Sequence, residues 1–361
     1  MRNYDFSEQA LENARLNIEE MKKKKIILES LPFKLYIEPT QNCNLNCIMC
    51  WKKRRRKKRD IKLKMYNNIV KELFPFMCEV NFFLVGEPFL AKNFLDLLKP
   101  IENYSFLPKI FTNGTIFSEE IYRRLIELGF FVNISFDAAT KDVFERIRVG
   151  SKYDMILKNI EKIKTLSSEI GNKRFHVRLV ITAGSYNIKE VPKIVELAHK
   201  IKINDIMVLD CDMGRPHSYN LMNVKDETKK IFEESMTLAN KYKIRLSFPK
   251  NIGNEQLLKK NHNWDKFSLP IDKYAPSFLE EYNPVNGDCP HPWIETAIRN
   301  DGTVVACCQK LIKMGNINRH TFKKIWNNKR YQKLRKRTQY YDCQNYCLLT
   351  RNSMMKGNKI R

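Results

Sequence analysis

Three cysteines lie within eight residues, in the segment CNLNCIMC at 43–50. Cys43, Cys47 and Cys50 follow the spacing Cys-x3-Cys-x2-Cys, and thiolates are soft ligands that suit iron–sulfur clusters or zinc. A structural zinc site needs a fourth nearby ligand, but the next histidine along the chain is His176. Three thiolates can instead hold three irons of a cubane [4Fe-4S] cluster, which leaves the fourth iron open to a small molecule.

A second group of cysteines lies near the C-terminus, at Cys289, Cys307, Cys308, Cys343 and Cys347. In a reducing compartment, clustered cysteines bind metal or perform redox chemistry more often than they form structural disulfides. Two of them are adjacent on a predicted strand, so their side chains point to opposite faces and only one can readily face a metal. An iron–sulfur cluster and a zinc site both fit this group.

The composition indicates a globular protein with a substantial core. The chain has 361 residues, of which 43% are hydrophobic, enough for one large or two ordinary domains. Neither a membrane span nor a secretory signal is present in the pattern, which predicts a cytoplasmic protein. The net charge of +25 could attract nucleic acid, anionic lipid or a phosphorylated substrate. The basic run KKRRRKK at 52–58 fits a solvated loop equally well, and the role of residues 52–59 stays open.

Short apolar runs alternate with amphipathic stretches through the first two thirds of the chain. This alternation predicts an α/β fold with a parallel sheet in a partial (β/α)6 barrel, whose reactive rim lies at the carboxyl ends of the strands. Helices are predicted at 7–24, with Ser7 as the cap, and at 223–243. The predicted strands lie at 33–40, 79–85, 108–114, 130–137, 176–184 and 204–210.

The C-terminal third has a different pattern. Residues 250–288 lack periodicity and form a bridge. The stretch WIETAIRNDGTVVACC predicts a hairpin about an Asn-Asp-Gly turn, and TFKKIWNNKRYQKLRKR predicts one basic amphipathic helix. The predicted domains are an N-terminal helical extension, a partial barrel, a bridging segment and a small iron–sulfur domain, at 1–33, 34–215, 216–285 and 286–361.

The first cysteine trio, directly after the first predicted strand, resembles that of the radical S-adenosylmethionine superfamily. In that family the amino and carboxylate groups of S-adenosylmethionine chelate the open iron. An electron from the cluster then cleaves the C–S bond and gives methionine and a 5′-deoxyadenosyl radical. The resemblance implies an enzyme with a catalytic [4Fe-4S] cluster held by three cysteines, with S-adenosylmethionine as the missing ligand, and a reducing partner such as flavodoxin or ferredoxin.

Motifs at the next strand ends strengthen this resemblance. Val85-Gly86-Glu87-Pro88 resembles the family's GGEP motif, with valine in place of the first glycine, and Thr112-Asn113-Gly114 follows the third strand. Ser135 and Asp137 resemble the S-x-D motif beside the ribose, and Arg148 matches an arginine that meets the methionine carboxylate. The resemblance implies cofactor contacts from Met49 (where an aromatic residue is usual), Gly86, Glu87, Asn113, Ser135, Asp137 and Arg148.

The C-terminal segment resembles the SPASM/twitch extension of the same superfamily, in which cysteines flank a hairpin and a helix to hold an auxiliary [4Fe-4S] cluster. CPHPW, DGTVVACC, MGNIN and KKIW carry this resemblance. A full SPASM domain holds two auxiliary clusters and needs more cysteines, so the resemblance implies one. The Gly-x4-Cys spacing selects Cys307, and Cys308 is then expected to be a small buried hydrophobe. The implied ligands are Cys289, Cys307, Cys343 and Cys347, with zinc on the same thiols as the alternative.

These resemblances imply an oxidoreductase-type radical enzyme that abstracts hydrogen from a carbon of an organic substrate. A cluster with four cysteines is coordinatively full and suits electron transfer, so we expect the net oxidation of a small anionic metabolite. The alternatives are a peptide- or protein-modifying maturase or epimerase, an RNA-modifying enzyme, and a non-catalytic metal-binding module. Nucleic acid is not expected as a partner, because no added RNA-binding module is present.

The end of the sixth predicted strand, IMVLDCD, offers two catalytic candidates. Cys211 could return a hydrogen atom to a substrate radical, which would give epimerisation rather than oxidation. By strand alternation Cys211 shares a face with Met207 and Leu209, and Asp210 shares the other with Val208. Because polar side chains belong at the wet mouth of a barrel, we expect Asp210 to point inward and to accept a proton or hydrogen bond.

Overall fold

The computed structural model describes residues 6–50, 59–211, 219–249, 289–308 and 312–338. It confirms an α/β fold whose parallel sheet is not closed into a full barrel. The chain divides into two compact units. Unit 1 comprises Met1–Asn42, Arg55–Ile110 and Tyr274–Arg361, and unit 2 comprises Cys43–Arg54 and Phe111–Lys273. The basic run at 52–58 and the bridge at 250–288 lie outside the described residues, and the four domain boundaries stay predictions.

Helices and strands alternate through most of the described chain. The strands are β1 (Lys34–Ile37), β2 (Glu79–Asn81), β3 (Leu107–Thr112), β4 (Phe131–Ser135), β5 (His176–Ala183), β6 (Asp205–Asp210), β7 (Arg245–Ser247), β8 (Glu295–Ile298), β9 (Thr303–Val305) and β10 (Lys313–Asn316). The helices are α1 (Glu8–Lys22), α2 (Leu63–Leu73), α3 (Phe94–Leu98), α4 (Glu119–Glu127), α5 (Lys141–Ile147), α6 (Tyr153–Ile170), α7 (Val191–Lys200), α8 (Lys225–Tyr242), α9 (His291–Ile294), α10 (Phe322–Trp326) and α11 (Lys329–Thr338). No helix among the described residues is both long and apolar enough to cross a membrane.

In unit 1, the strands run in the order β10-β9-β8-β1-β2-β3. The predicted hairpin is confirmed as β8 and β9, which are antiparallel, and β10 adds a strand that the sequence analysis missed. The hairpin is not isolated, because β8 pairs in parallel with β1, with Lys34 opposite Glu295. The carboxylate of Glu38, directly after β1, extends this link by accepting hydrogen bonds from the Asn300 backbone N–H and the Gln41 side chain.

Side chains cap the starts of two helices in unit 1. The predicted cap of α1 is confirmed, since the Ser7 hydroxyl accepts from the Ala10 N–H at 3.2 Å. The prediction of a single basic helix after residue 321 is wrong, because two helices, α10 and α11, form there and are separated by residues 327–328. The Asn328 side-chain oxygen accepts from the backbone N–H groups of Arg330 and Tyr331 at 2.9 and 3.1 Å. An asparagine that satisfies these two donors favours a new helix start.

In unit 2, the strands run in the order β4-β5-β6-β7, all parallel. Strand β7, at Arg245–Ser247, was not predicted from the sequence. One face of the sheet packs against helices. Ile134 of β4 and Ile156 of α6 mark this face, because a Cβ added at Gly114 would lie 3.0 and 3.3 Å from their methyl carbons. Side chains alternate along each strand, so the residues between those on the helix-covered face point to the opposite face, which we call the open face.

Candidate functional site

The cysteine loop at 43–50 belongs to unit 2 and is fixed by backbone hydrogen bonds to the end of α5. The Asn46 N–H donates to the Val149 carbonyl at 2.9 Å, and the Ile48 N–H donates to the Ile147 carbonyl at 3.0 Å. All three thiols of the loop are partly exposed. The loop is therefore ordered by main-chain contacts that are independent of its cysteine side chains, which leaves the thiols available as ligands.

A turn after β3 supports the same loop. The Asn113 side-chain amide donates to the Asn44 side-chain oxygen at 2.9 Å and lies 4.0 Å from the Cys43 sulfur. Asn44 in turn donates to the Thr115 hydroxyl at 2.8 Å. Gly114 has φ +74°, and a Cβ there would lie 3.0 Å from a methyl carbon of Ile134, so the turn needs glycine. Asn113, predicted from the resemblance as a cofactor contact, positions the cysteine loop in this structure.

Arg148 and Asp137 form a buried ion pair in unit 2, with 2.7 Å between guanidinium nitrogen and carboxylate oxygen. The other Asp137 oxygen accepts from the Thr182 N–H at 2.7 Å. Burial raises the pKa of Asp137, and the guanidinium of Arg148 opposes this shift. Burial likewise raises the pKa of Cys47 to about 11, again opposed by the Arg148 charge. Arg148 thus favours the thiolate that a metal ligand requires.

Tyr186 joins this group, although nothing in its sequence context marks it. Its hydroxyl donates to the Thr182 carbonyl at 2.9 Å and is hydrogen-bonded with Cys211. Burial raises the pKa of Tyr186 far above its usual range, and the charge of Asp137 and the Cys211 thiol raise it further. The structure therefore brings Cys211 into the same neighbourhood as Asp137.

The strand register contradicts the predicted inward orientation of Asp210. Ser135 is level with Val180 of β5, which is level with Met207 of β6, so these three share the open face. Asp210 falls on the opposite, helix-covered face and is 2% exposed, whereas Leu209 is 39% exposed. The expectation that polarity decides the inward face fails at this strand end, because the apolar Leu209 lies on the open face while the helix-covered face accommodates the buried carboxylate of Asp210.

In unit 1, a glycine turn packs against the residues that lead into the cysteine loop. Gly86 has φ +91°, and a Cβ there would lie 2.6 Å from the Thr40 carbonyl oxygen and 2.7 Å from that of Asn42. The Glu87 N–H donates to the Asn42 carbonyl at 2.7 Å, and the buried Glu87 side chain accepts from the Phe89 N–H. Because backbone atoms cannot yield as a flexible side chain does, only glycine fits at position 86.

We expect Gly86→Ala to lower the free energy of unfolding by about 2–3 kcal/mol and to reduce the iron bound at the neighbouring cysteines, because it displaces Asn42. Gly171→Ala is the matched control, since Gly171 has φ +70° but nothing lies within 4 Å of its added Cβ. Chemical denaturation and iron assays of both variants check this. Equal effects of the two substitutions would contradict the role given to the close contacts.

The C-terminal cysteines are partly within the described chain. Cys289 and Cys307 are buried in unit 1, at 5% and 7% exposure, and Cys343 and Cys347 lie outside the described residues. The expectation for Cys308 needs correction: it is half-buried, its N–H donates to the Glu295 carboxylate at 3.3 Å, and its thiol is hydrogen-bonded with Tyr36. A polar environment, which strand spacing does not reveal, surrounds this second thiol.

The donor set of the cysteine loop fits a cluster better than a single ion. Within the described ranges, no three His, Cys, Asp or Glu side chains converge to hold one metal ion. A cubane takes one thiolate per iron, so its ligands are spread around a cluster rather than gathered on a point. Cys43, Cys47 and Cys50 would hold three irons in that arrangement.

Comparisons with known proteins agree with this chemistry. Residues 37–198 match the family model of the radical SAM superfamily, and residues 289–348 match that of the SPASM iron–sulfur cluster-binding domain. A tungsten-containing aldehyde ferredoxin oxidoreductase cofactor-modifying protein of Pyrococcus furiosus is 27% identical over 184 residues, 48% of this chain and 50% of that protein. Fe-coproporphyrin III synthase of Methanosarcina barkeri is 24% identical over 169 residues, 45% of this chain and 40% of the synthase. The chain thus spans about half or less of these curated relatives.

Solved structures share the fold at low sequence identity. SuiB of Streptococcus suis, bound to its precursor peptide SuiA, superposes with a TM-score of 0.65 at 17% identity, over 90% of this chain and 70% of SuiB. The anSMEcpe protein with bound AdoMet has a TM-score of 0.64 at 18% identity, over 88% of each chain. These structures show the shared fold, and the family matches over residues 37–198 and 289–348 show that the chain belongs to the radical S-adenosylmethionine superfamily and carries a C-terminal SPASM iron–sulfur domain.

Proposed function

We propose that this radical enzyme abstracts a hydrogen atom from a small anionic metabolite and oxidises it by two electrons. The bound cluster and S-adenosylmethionine supply the 5′-deoxyadenosyl radical. The observation that carries the radical chemistry is the ordered cysteine loop, with three partly exposed thiols and the buried Arg148–Asp137 pair beside Cys47. Cys289, Cys307, Cys343 and Cys347 would hold an auxiliary cluster that would supply an acceptor for the second electron, and the accompanying proton would pass to solvent.

The chain's own residues have three tasks in this proposal. The loop cysteines hold three irons, and Arg148, in contact with Asp137, keeps positive charge beside Cys47. The proposed contacts of S-adenosylmethionine stay Met49, Gly86, Glu87, Asn113, Ser135, Asp137 and Arg148. A ferredoxin or flavodoxin is the proposed electron donor and the cytoplasm the proposed location.

Modification of a peptide is the second candidate, favoured by one observation. SuiB, which shares the fold, was solved with a precursor peptide bound. Fractionating a cell extract by size distinguishes the two functions, because a metabolite substrate and a peptide substrate fall in different fractions. If the reconstituted protein forms more 5′-deoxyadenosine with the fraction below about 1 kDa, as we expect, the substrate is a metabolite. Stimulation by the peptide fraction alone would favour the second candidate.

Cys211, which lies beside Tyr186, stays the candidate for the alternative outcome, in which a hydrogen atom is returned to the substrate radical and the reaction is an epimerisation. Net oxidation predicts no solvent deuterium on the product carbon after turnover in heavy water, because no hydrogen is returned to that carbon. Mass spectrometry of the product checks this. Deuterium that appears with the wild-type protein and vanishes in Cys211→Ala would overturn the oxidation and make the protein an epimerase. Asp210→Asn is the control on the opposite face.

A further inference from the structure

A layer of charged side chains lies on the open face of unit 2. Arg178 of β5 is level with Asn133 of β4 and, by the register of the next pair, with Asp205 of β6. Arg178 precedes Val180, which is level with Ser135, by two residues. It therefore lies on the same face as Ser135, about 7 Å farther from the carboxyl ends of the strands.

The Arg178 side chain is held in place by its neighbours, but its guanidinium still has unused hydrogen-bond donors. Its Nε donates to the Asp205 Oδ2 at 2.8 Å, and its guanidinium lies over the Phe131 ring, 4.5 Å from the centroid. One terminal nitrogen has only a 4.0 Å contact with the Met207 sulfur. Among the described residues, neither terminal nitrogen has an oxygen acceptor, although the side chain remains 13% exposed. These two nitrogens form a fixed pair of donors that can bind an anion.

Asp205 positions this guanidinium and does not fully neutralise the layer. Its Oδ2 also contacts the His176 Nε2 at 2.8 Å, and its Oδ1 is buried without a hydrogen-bond partner among the described residues. Burial favours the neutral acid, but Arg178 and His176 hold the pKa of Asp205 below its usual range. Arg245 lies level with Asp205 on the same face, so the layer carries more positive than negative charge.

We propose that Arg178 is the substrate anchor of this enzyme and binds a carboxylate or phosphate group of the substrate on the open face of β4–β6. The inference rests on the proposed function and specifies its substrate class. A planar guanidinium donates two parallel hydrogen bonds to either anion, which fixes orientation as well as position. Stacking on Phe131 and the hydrogen bond to Asp205 already restrict the Arg178 side chain. Less conformational entropy is therefore lost when an anion binds.

Titration of inorganic phosphate and, separately, succinate into the reconstituted full chain tests this anchor. We expect Arg178→Gln to weaken binding of at least one anion by about 10- to 100-fold, because hydrogen bonds to charged groups are lost. Arg178→Lys should weaken it less, since it keeps the charge but not the fixed pair of donors. Arg123→Gln is the matched control, because Arg123 is an exposed helix residue paired with Glu119. The anion that responds identifies the chemical class.

A second measurement requires no variant and so does not depend on its folding. Phenylglyoxal labels arginine, and the same anion should protect Arg178 of the wild-type protein, read by peptide mass spectrometry. Equal anion binding by wild type and Arg178→Gln, or protection of Arg245 without protection of Arg178, would overturn the proposal. Formation of 5′-deoxyadenosine by the wild type and Arg123→Gln tests the proposed function separately, so the two can fail independently.

Discussion

The triple variant Cys43→Ala, Cys47→Ala, Cys50→Ala should form no 5′-deoxyadenosine from S-adenosylmethionine, because it removes every protein ligand of the catalytic cluster. Reconstituted wild-type protein should hold about eight irons, as two cubanes of four irons each, and the variant about four. Anaerobic reconstitution, an iron assay and chromatography of the nucleoside products measure both quantities. The loop itself should persist, since its bonds to Ile147 and Val149 use backbone groups.

Cys78→Ala provides the control for this experiment. Cys78 is 1% exposed in unit 1, and burial raises the pKa of its thiol to about 12, so it is an inert structural cysteine. The control should keep its iron and its cleavage activity. Cleavage that survives in the triple variant would refute the catalytic cluster, and about twelve irons in the wild type would show a second auxiliary cluster.

Arg148→Met should lower the free energy of unfolding by about 3–5 kcal/mol, because it leaves the carboxylate of Asp137 buried without its cation. Asp137 is fully buried and Arg148 nearly so, so solvent does not screen the pair. The double variant Arg148→Met, Asp137→Asn should recover part of this loss, since the neutral amide needs no counter-charge. Chemical denaturation of the single and double variants measures the coupling between them.

The pH dependence gives this prediction a second test. In Arg148→Met, burial without the guanidinium raises the pKa of Asp137 above its value in the unfolded chain. The folded state then binds the extra proton, so the stability of the variant should rise as pH falls through that pKa and decline as pH increases. Arg123→Met, at an exposed pair, should show neither effect. A variant whose stability deficit is unchanged between pH 5 and 8 would contradict the buried charge as its cause.

Local patterns in the sequence predicted much of the fold and the donor set of the site. The Ser7 cap, the β-rich run of β4 and the hairpin turn near Asn300 each depend on neighbouring residues, and all three were predicted correctly. The cluster site was predicted from the spacing of the three loop cysteines and the known ligand preferences of metals alone. The interruption of the helix at Asn328 was not predicted, because the apolar periodicity continues across it. The cap that starts the new helix depends on one side chain and leaves that periodicity unchanged.

The misplaced Asp210 and the unpredicted Tyr186 have a different cause. Which face of a strand is covered depends on which helices pack against it, and alternation alone distinguishes the two faces without saying which is open. Tyr186 reaches Cys211 only in the folded chain, because the whole of α7 and β6 lies between them in the sequence. No residue spacing records such a contact.

The parallel pairing of β1 with β8 has a consequence for biosynthesis. Lys34 emerges from the ribosome long before its partner Glu295, so the nascent chain carries an unpaired strand edge throughout most of its synthesis. Such long-range pairing raises the contact order and slows folding, and exposed strand edges promote aggregation of incomplete chains. The strand that leads into the cysteine loop therefore gains this neighbour only after synthesis has passed Ile298, so β1 keeps one unpaired edge until the SPASM domain begins to form.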